Sequence, residues 1–468
     1  MSVPRILTLT LALSGAAASA GASPRSDPTA GRAVFTGATM PHATSIGLDP
    51  AALGLGSVDE LYASVTGVID QLHVALDRAA NDLAPGPRAH DVELGPGGVF
   101  AVIYHLAGDS LTLGFEARTT PPETFPSSKA LQYHVLGGHE RDWLASVAAS
   151  YKIADFLFAG ASLSHQNTFL RLQYVRDAAL ESPQGPSEVM CGGAPCGIGN
   201  PAAAQTWDVD VRSPGFSTAN LKVNIGVLVQ LGRDLWLGVG YHTPPGFGVE
   251  TELAGHIGIT QPGAASLREQ SVVEIQYPAS ADAELRARLP RDLDLHVGGR
   301  WEDLSRLSAY DIRAYSSNAM ADGVPEWTER PRGMHDAFAG WAGVEQVDRG
   351  QSWLFGVRAG FETSSLSTDR TSPLTVAPAS ATLDVGAQLR LSRGLIAQLS
   401  YGVQYFPTVN VTHSDFDPAF RVECMASNYD YAAGPCAATR NGYAIASAAG
   451  SYDRIEHALR LGLRYVLP

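Results

Sequence analysis

Cysteine, histidine and arginine are the residues of this chain best placed to do chemistry. Cys191 and Cys196 lie five apart in a Gly/Pro-rich stretch, and Cys424 and Cys436 lie twelve apart in another. Neither pair forms a CxxC or has a histidine at ligand spacing. The pattern favours two local disulfides in an oxidising compartment over a zinc site. His134 and His139 are five apart with no third ligand nearby, and the rest of the 13 histidines are scattered. No G-x-S-x-G elbow, HExxH or Walker loop occurs. The expectation is therefore a protein without catalytic residues, cofactor or metal. Arg300, Arg358, Arg390, Arg460 and Arg464 form another set. Arginine pairs bidentately with carboxylates, so these residues are candidate anchors for a ligand carboxylate. The alternative is a salt-bridged lining with Asp294, Asp384, Glu302 and Glu362 as partners.

The elements that carry those arginines alternate with period two, the mark of strands with unlike faces. In Thr382–Leu391, Leu383, Val385, Ala387, Leu389 and Leu391 oppose Thr382, Asp384, Gly386, Gln388 and Arg390. Glu456–Leu467, Ser352–Glu362 and Asp294–Glu302 repeat the pattern. One face is apolar and the other mixes glycine with charge. Trp353, Trp301, Trp236, Tyr241, Tyr401, Tyr405 and Tyr465 are candidates for interfacial aromatic girdles.

Composition narrows the class. The chain has 468 residues, 48 of them glycine, with 17% charged residues and 45% hydrophobic ones. Low hydrophobicity and high charge, the conditions for disorder, are both missing. The net charge of −14 speaks against a nucleic-acid partner. No internal apolar run approaches the ~18 residues of a membrane helix. A soluble β-rich protein or a membrane β-barrel is left.

Connections decide between them. Tight turns are expected at Leu106–Ser110, Lys152–Phe156, Leu231–Asp234, Glu302–Arg306, Val347–Gln351 and Ser392–Leu395. Long irregular stretches are expected at Arg176–Val211, Gln261–Arg291, Asn318–Met334 and Ser414–Ser451. Short turns at one end and long loops at the other are the asymmetry of an outer-membrane barrel. Six hairpins, an opening strand near Ser57–Leu76 and a closing strand near Ile455–Leu467 predict an all-β, fourteen-stranded antiparallel transmembrane barrel over residues 57–468. Residues 1–20 read as a signal peptide: Arg5 precedes the apolar Ile6–Leu13, and Ala18-Ser19-Ala20 is a cleavage site. Residues 21–56 do not alternate and are expected as a tail or a plug inside the lumen.

Several stretches resemble the FadL-type outer-membrane transporters of long-chain fatty acids and other hydrophobic compounds. Thr44–Leu53, with Asp49-Pro50-Ala51 at its centre, resembles the family's hatch motif, Asp49 standing where asparagine is usual. Asp109–Thr120 followed by Pro121 resembles its third strand, Leu221–Pro244 a middle hairpin ending in Gly238–Pro244, and Trp353–Pro373 a strand and loop. Arg460–Leu467 is similar to the closing signal read in outer-membrane insertion, which implies the barrel assembly machinery as a partner. The resemblance implies a monomer in the bacterial outer membrane, bounded by its lipid, with an N-terminal hatch at 21–56. It implies passive uptake of a hydrophobic small molecule that leaves sideways through a gap made by a kink in the third strand. Here the kink falls within Gly114–Pro122, with Gly114, Pro121 and Pro122 as its residues. The plainer reading ends the strand at Thr120. A general aqueous porin and a non-transporting surface or adhesion barrel are the rival functions.

Overall fold

In the computed structural model the described residues are 34–77, 88–106, 110–177, 190–191, 194–195, 208–260, 266–315, 327–347, 352–416 and 447–467. The proposed signal peptide lies outside them, as do residues 21–33 of the N-terminal segment. So do the side chains of Cys191, Cys196, Cys424 and Cys436.

Fourteen antiparallel strands close into one barrel. They are β1 (Glu60–Leu76), β2 (Arg88–Leu106), β3 (Leu111–Thr119), β4 (Gly138–Ala154), β5 (Leu157–Asp177), β6 (Asp208–Gly232) and β7 (Leu235–His242). The second half comprises β8 (Ser280–Leu289), β9 (Leu293–Glu302), β10 (Ala337–Gln346), β11 (Trp353–Glu362), β12 (Ser380–Arg390), β13 (Leu395–Val411) and β14 (Gly450–Val466). Each pairs with the next, and β14 returns to β1 in a register running from Glu60↔Val466 to Leu76↔Gly450. Closure pairs the backbone groups along both strand edges, which a lipid environment requires.

The faces are inverted relative to a soluble sandwich. Val65, Leu163, Val239, Phe355, Leu383 and Leu461 point outward and are exposed. Asp282, Glu284, His296, Glu345, Glu362 and Arg460 point inward and are buried. An outward leucine is stabilised by leaving water for lipid, by roughly 1.5–3 kcal/mol. Tyr241, Tyr401, Tyr405, Trp353 and Tyr465 are on the outer face, as expected of girdle residues. Trp236 is not. It is buried inside the barrel, with the Arg286 guanidinium 4.3 Å from its ring centre. Its position in β7 alternates with outward Val239 and Tyr241, and this overrides the preference of tryptophan for an interface.

Six tight connections lie at one end of the barrel, and seven long ones at the other. Five turns fall where the sequence places them, although residues 107–109 and 348–351 lie outside the described residues. The sixth differs. Leu289 pairs with Leu293, so the hairpin turns at Pro290–Asp292 rather than at Glu302–Arg306. Arg291 (φ 68°) and Asp292 (φ 59°) adopt the left-handed conformation such a turn needs, without a glycine to announce it. Leu304–Arg306 is a short 3-10 turn at the long-loop end. The stretch Gln261–Arg291, expected to be irregular, contains the strand Leu267–Ile275 as well as β8.

The long-loop end is roofed. Thr251–Thr260 pairs with the outer half of β6 and with Leu267–Ile275. Leu267–Ile275 pairs with Ala309–Ala314, which pairs with Trp327–Pro331. Beneath this roof Phe125, Leu170, Phe216, Leu253, Val273, Tyr277, Tyr310 and Ile312 pack into an apolar core.

The inverted faces carry a prediction. Leu461→Arg puts a charge in the outward belt and should cost ~2–4 kcal/mol of folding free energy in lipid vesicles. Denaturant titration of the reconstituted barrel measures it, and an unchanged midpoint would contradict a lipid-facing position.

Candidate functional site

Val34–Leu55 lies inside the barrel, folded as two short 3-10 helices, Ala43–Gly47 and Pro50–Leu55. Its seat on the inner wall has three parts. The first is glycine. A Cβ at Gly160 of β5 would collide with the Pro50–Ala51 peptide. A Cβ at Gly226 of β6 would strike the Asp49 carboxylate, and those at Gly238 and Gly240 of β7 the carbonyls of Ala38 and Leu48. Side chains are missing there because backbone takes their place.

The second part is carboxylate. Glu284 accepts from the Thr39 N–H at 3.2 Å and from its hydroxyl at 2.5 Å. Glu345 accepts from the Phe35 N–H at 2.7 Å, and Arg358 donates to the Thr36 carbonyl at 2.5 Å. Glu60 accepts from the Ala43 N–H at 3.2 Å and from Arg464 at 2.8 Å. These bonds satisfy backbone groups that an irregular segment would otherwise bury unpaired. The third part is apolar: Ile46 and Leu53 pack with Val99, Ala101, Ile103 and Ala148.

Asp49 is fully buried and caps the second 3-10 helix, accepting from the Ala51 N–H at 2.9 Å. Among the described residues no cation pairs with it. Burial, reinforced by Asp282 and Glu284, raises its carboxyl to about 8. At neutral pH the group is therefore protonated and uncharged, which lets an aspartic acid occupy a place where asparagine would fit.

The wall changes at the outer end of β3. Its ladder with β2 runs from Leu106↔Leu111 to Gly98↔Thr119 and stops. The ladder of Arg88–Gly97 is with β1 alone. Pro121 packs against Gly97 and Pro122 against Gly95, and neither proline has an N–H to donate. Glu123–Phe125 then pairs with β4 only. The result is a seam bridged by side chains, with the Arg141 guanidinium reaching the Pro96 carbonyl at 3.2 Å. Gly114 is not part of it. It sits in unbroken ladder, paired with Ile103 and Ala148, and leaves room for Ile46.

A cavity of about 250 Å³ lies among the outer ends of β3, β4, β6 and β9 and the loops beyond them, bordered by Pro121 at the seam. Its lining combines charged groups, among them Arg118, Lys222, Arg300, Arg332, Asp142 and Glu302, with apolar ones, Leu144, Pro278, Leu304, Met334 and Val376. Most cations are engaged: Arg300 with Glu302 at 2.7 Å, Arg332 with Glu123 at 2.9 Å, Arg118 with Glu116 at 3.4 Å. Lys222 makes no ion pair with the described residues and is opposed only at longer range by Asp142 and Glu302. Of the five arginines singled out by sequence, Arg300 alone lines this cavity. Arg358 and Arg464 hold the N-terminal seat, and Arg460 donates to the Tyr62 hydroxyl at 2.6 Å. Arg390 ends β12 beside the tight turns. Lys222 alternates with exposed Leu221, so its inward position is readable from the sequence, but a lysine offers no bidentate fork and falls outside the arginine set.

Two outcomes follow. Gly226→Val should displace the N-terminal segment and raise the ion conductance of the barrel in a planar bilayer. For Asp49 the raised carboxyl means that stability is greatest below pH ~4 and falls as pH rises to about 8, by at most ~1.4 kcal/mol per pH unit. Asp49→Asn should flatten that dependence in thermal unfolding of the detergent-solubilised protein.

By sequence, no family model and no curated protein matches the chain. Solved structures do match by shape. A Pseudomonas aeruginosa FadL homologue superposes with a TM-score of 0.71 at 13% identity, covering 96% of this chain and 99% of its own. The Pseudomonas putida toluene transporter TodX gives 0.63 at 11% identity, covering 94% and 99%. The Ralstonia pickettii toluene transporter TbuX gives 0.58 at 14%, covering 95% and 98%. With a closed ring of fourteen antiparallel strands and superposition over nearly the whole chain, the fold is that of the FadL-type barrels.

Proposed function

We propose that this protein is a passive outer-membrane channel for hydrophobic or amphipathic small molecules, fatty acids among them, which leave sideways through the seam between β2 and β3. The observation that carries the reading is the juxtaposition of the cavity and the seam at Pro121. A greasy molecule crossing an aqueous pore would forfeit ~0.8 kcal/mol for each CH₂ exposed. A side exit lets it pass from the apolar residues lining the cavity toward lipid. Lys222 is the group for a carboxylate head, because its ammonium makes no ion pair with the described residues and is opposed only at longer range by Asp142 and Glu302. Val34–Leu55 acts as the hatch that closes the lumen, with Asp49, Pro50 and Ala51 in its seat. An aqueous porin needs an open lumen, and this buried segment speaks against it. The shapes of a FadL homologue and of two toluene transporters support the class of cargo.

The exit is tested by closing it. Gly97→Cys with Pro121→Cys places two sulfurs across the seam, where a Cβ on Gly97 would lie 2.6 Å from the proline ring. Oxidation should abolish uptake of labelled fatty acid into vesicles, and reductant should restore it. Uptake unaffected by the crosslink would refute lateral exit. Lys222→Met should weaken fatty-acid binding about tenfold, the scale of one lost charge-assisted contact, and leave toluene uptake unchanged.

A further inference from the structure

We propose that the outer ends of β4 and β5 hold the phosphate of a lipid headgroup between Arg141 and Arg171. The inference rests on the membrane reading above and concerns the outer edge of the wall beside the seam, where Arg141, which also borders the cavity, stands next to exposed Arg171. On β4, Ile153, Tyr151, Ala149, Val147, Ala145 and Trp143 form an outward apolar column, and Arg141 and His139 continue it upward. On β5, Phe169 and Arg171 do the same. Trp143 is 47% exposed and marks the top of the lipid-facing column. The register sets His139 opposite Arg171 and Arg141 opposite Phe169, so the two guanidinium groups are diagonal neighbours on one face. They stand within four residues of Trp143, at the level where apolar chains give way to headgroups.

Among the described residues no acidic side chain on this face pairs with them. The acidic residues of the same strand turn inward: Glu140 accepts from Tyr310 at 2.8 Å and Asp142 from Thr168 at 2.5 Å. Neither Arg141 nor Arg171 makes an ion pair with the described residues, whereas Arg212 on β6 is held by Asp210 at 2.6 Å. Arg141 gives one donor to the Pro96 carbonyl and keeps a buried Nε without a partner. Adjacent like charges are unfavourable in a sheet unless an anion lies between them. A phosphate suits two forked donors, and the column below suits its acyl chains. A lipid held here would stand beside the seam.

The test uses the full chain in phosphatidylcholine vesicles doped with phosphatidic acid or phosphatidylcholine, either brominated near the headgroup. The readout is quenching of Trp143, taken as the fluorescence lost in Trp143→Phe. Phosphatidic acid should be preferred by roughly tenfold to thirtyfold, as two arginines near an anionic headgroup imply. Arg141→Gln with Arg171→Gln should erase the preference, and Arg212→Gln should keep it. Arg171→Gln alone should lose roughly fivefold, and it decides the matter if the double variant fails to insert. Equal quenching by both lipids, an equal loss in Arg212→Gln, or relief by millimolar inorganic phosphate would each overturn the proposal. Quenching by neither lipid would instead defeat the membrane reading on which it rests.

Discussion

A backbone N–H or C=O left unpaired in hydrocarbon costs several kcal/mol, and this constraint governs the whole molecule. It demands a ring of strands rather than a sheet with edges. It also fixes the two-residue rhythm by which Leu383 and Val385 meet lipid while Thr382 and Asp384 meet the lumen. The low charge of the chain follows, since half of every strand is unavailable to ionisable residues. So does the crowding of charge on the inner wall, where carboxylates, arginines and histidines are buried in one another's company.

That inner wall then has its own problem, a non-repetitive segment enclosed where water is scarce. The solution is divided by residue type. Glycines of β5, β6 and β7 let backbone approach backbone, and Glu60, Glu284 and Glu345 accept the N–H groups that the segment cannot pair internally. The seam obeys the same rule. Where Pro121 and Pro122 withdraw their donors, the facing positions are Gly95 and Gly97, so rings fill the space that a ladder would occupy. The cavity borders a stretch of wall in which proline rings stand where the β2–β3 ladder has ended.

Much of this was legible in the sequence, because period-two alternation and turn spacing are local. The fourteen strands, their closure and five of the six tight turns are carried by that local pattern. The turn at Pro290–Asp292 is not, since two non-glycine residues, Arg291 and Asp292, adopt φ > 0 there under the pull of the flanking ladder. Residue type misled for Trp236, whose parity in β7 turns it inward. The cavity was legible least of all. Arg118, Lys222 and Arg300 come from three strands, and only closure of the ring brings them together. Asp49 posed the opposite difficulty: the residue was visible, but its need for a counter-charge disappears once burial keeps its proton on.

The pairing of β1 with β14 joins residues nearly a whole chain apart, Glu60 with Val466. Removing any strand from such a ring removes two ladders and bares two edges, so no strand's share of the stability can be assigned to it alone. The ring is cooperative by geometry. Between β2 and β3 the ladder ends at Gly98 while β2 continues to Arg88 against β1, so over that length one edge of β2 meets the rings of Pro121 and Pro122 instead of a strand. A disturbance at any one ladder is therefore passed to both of its neighbours and around the ring.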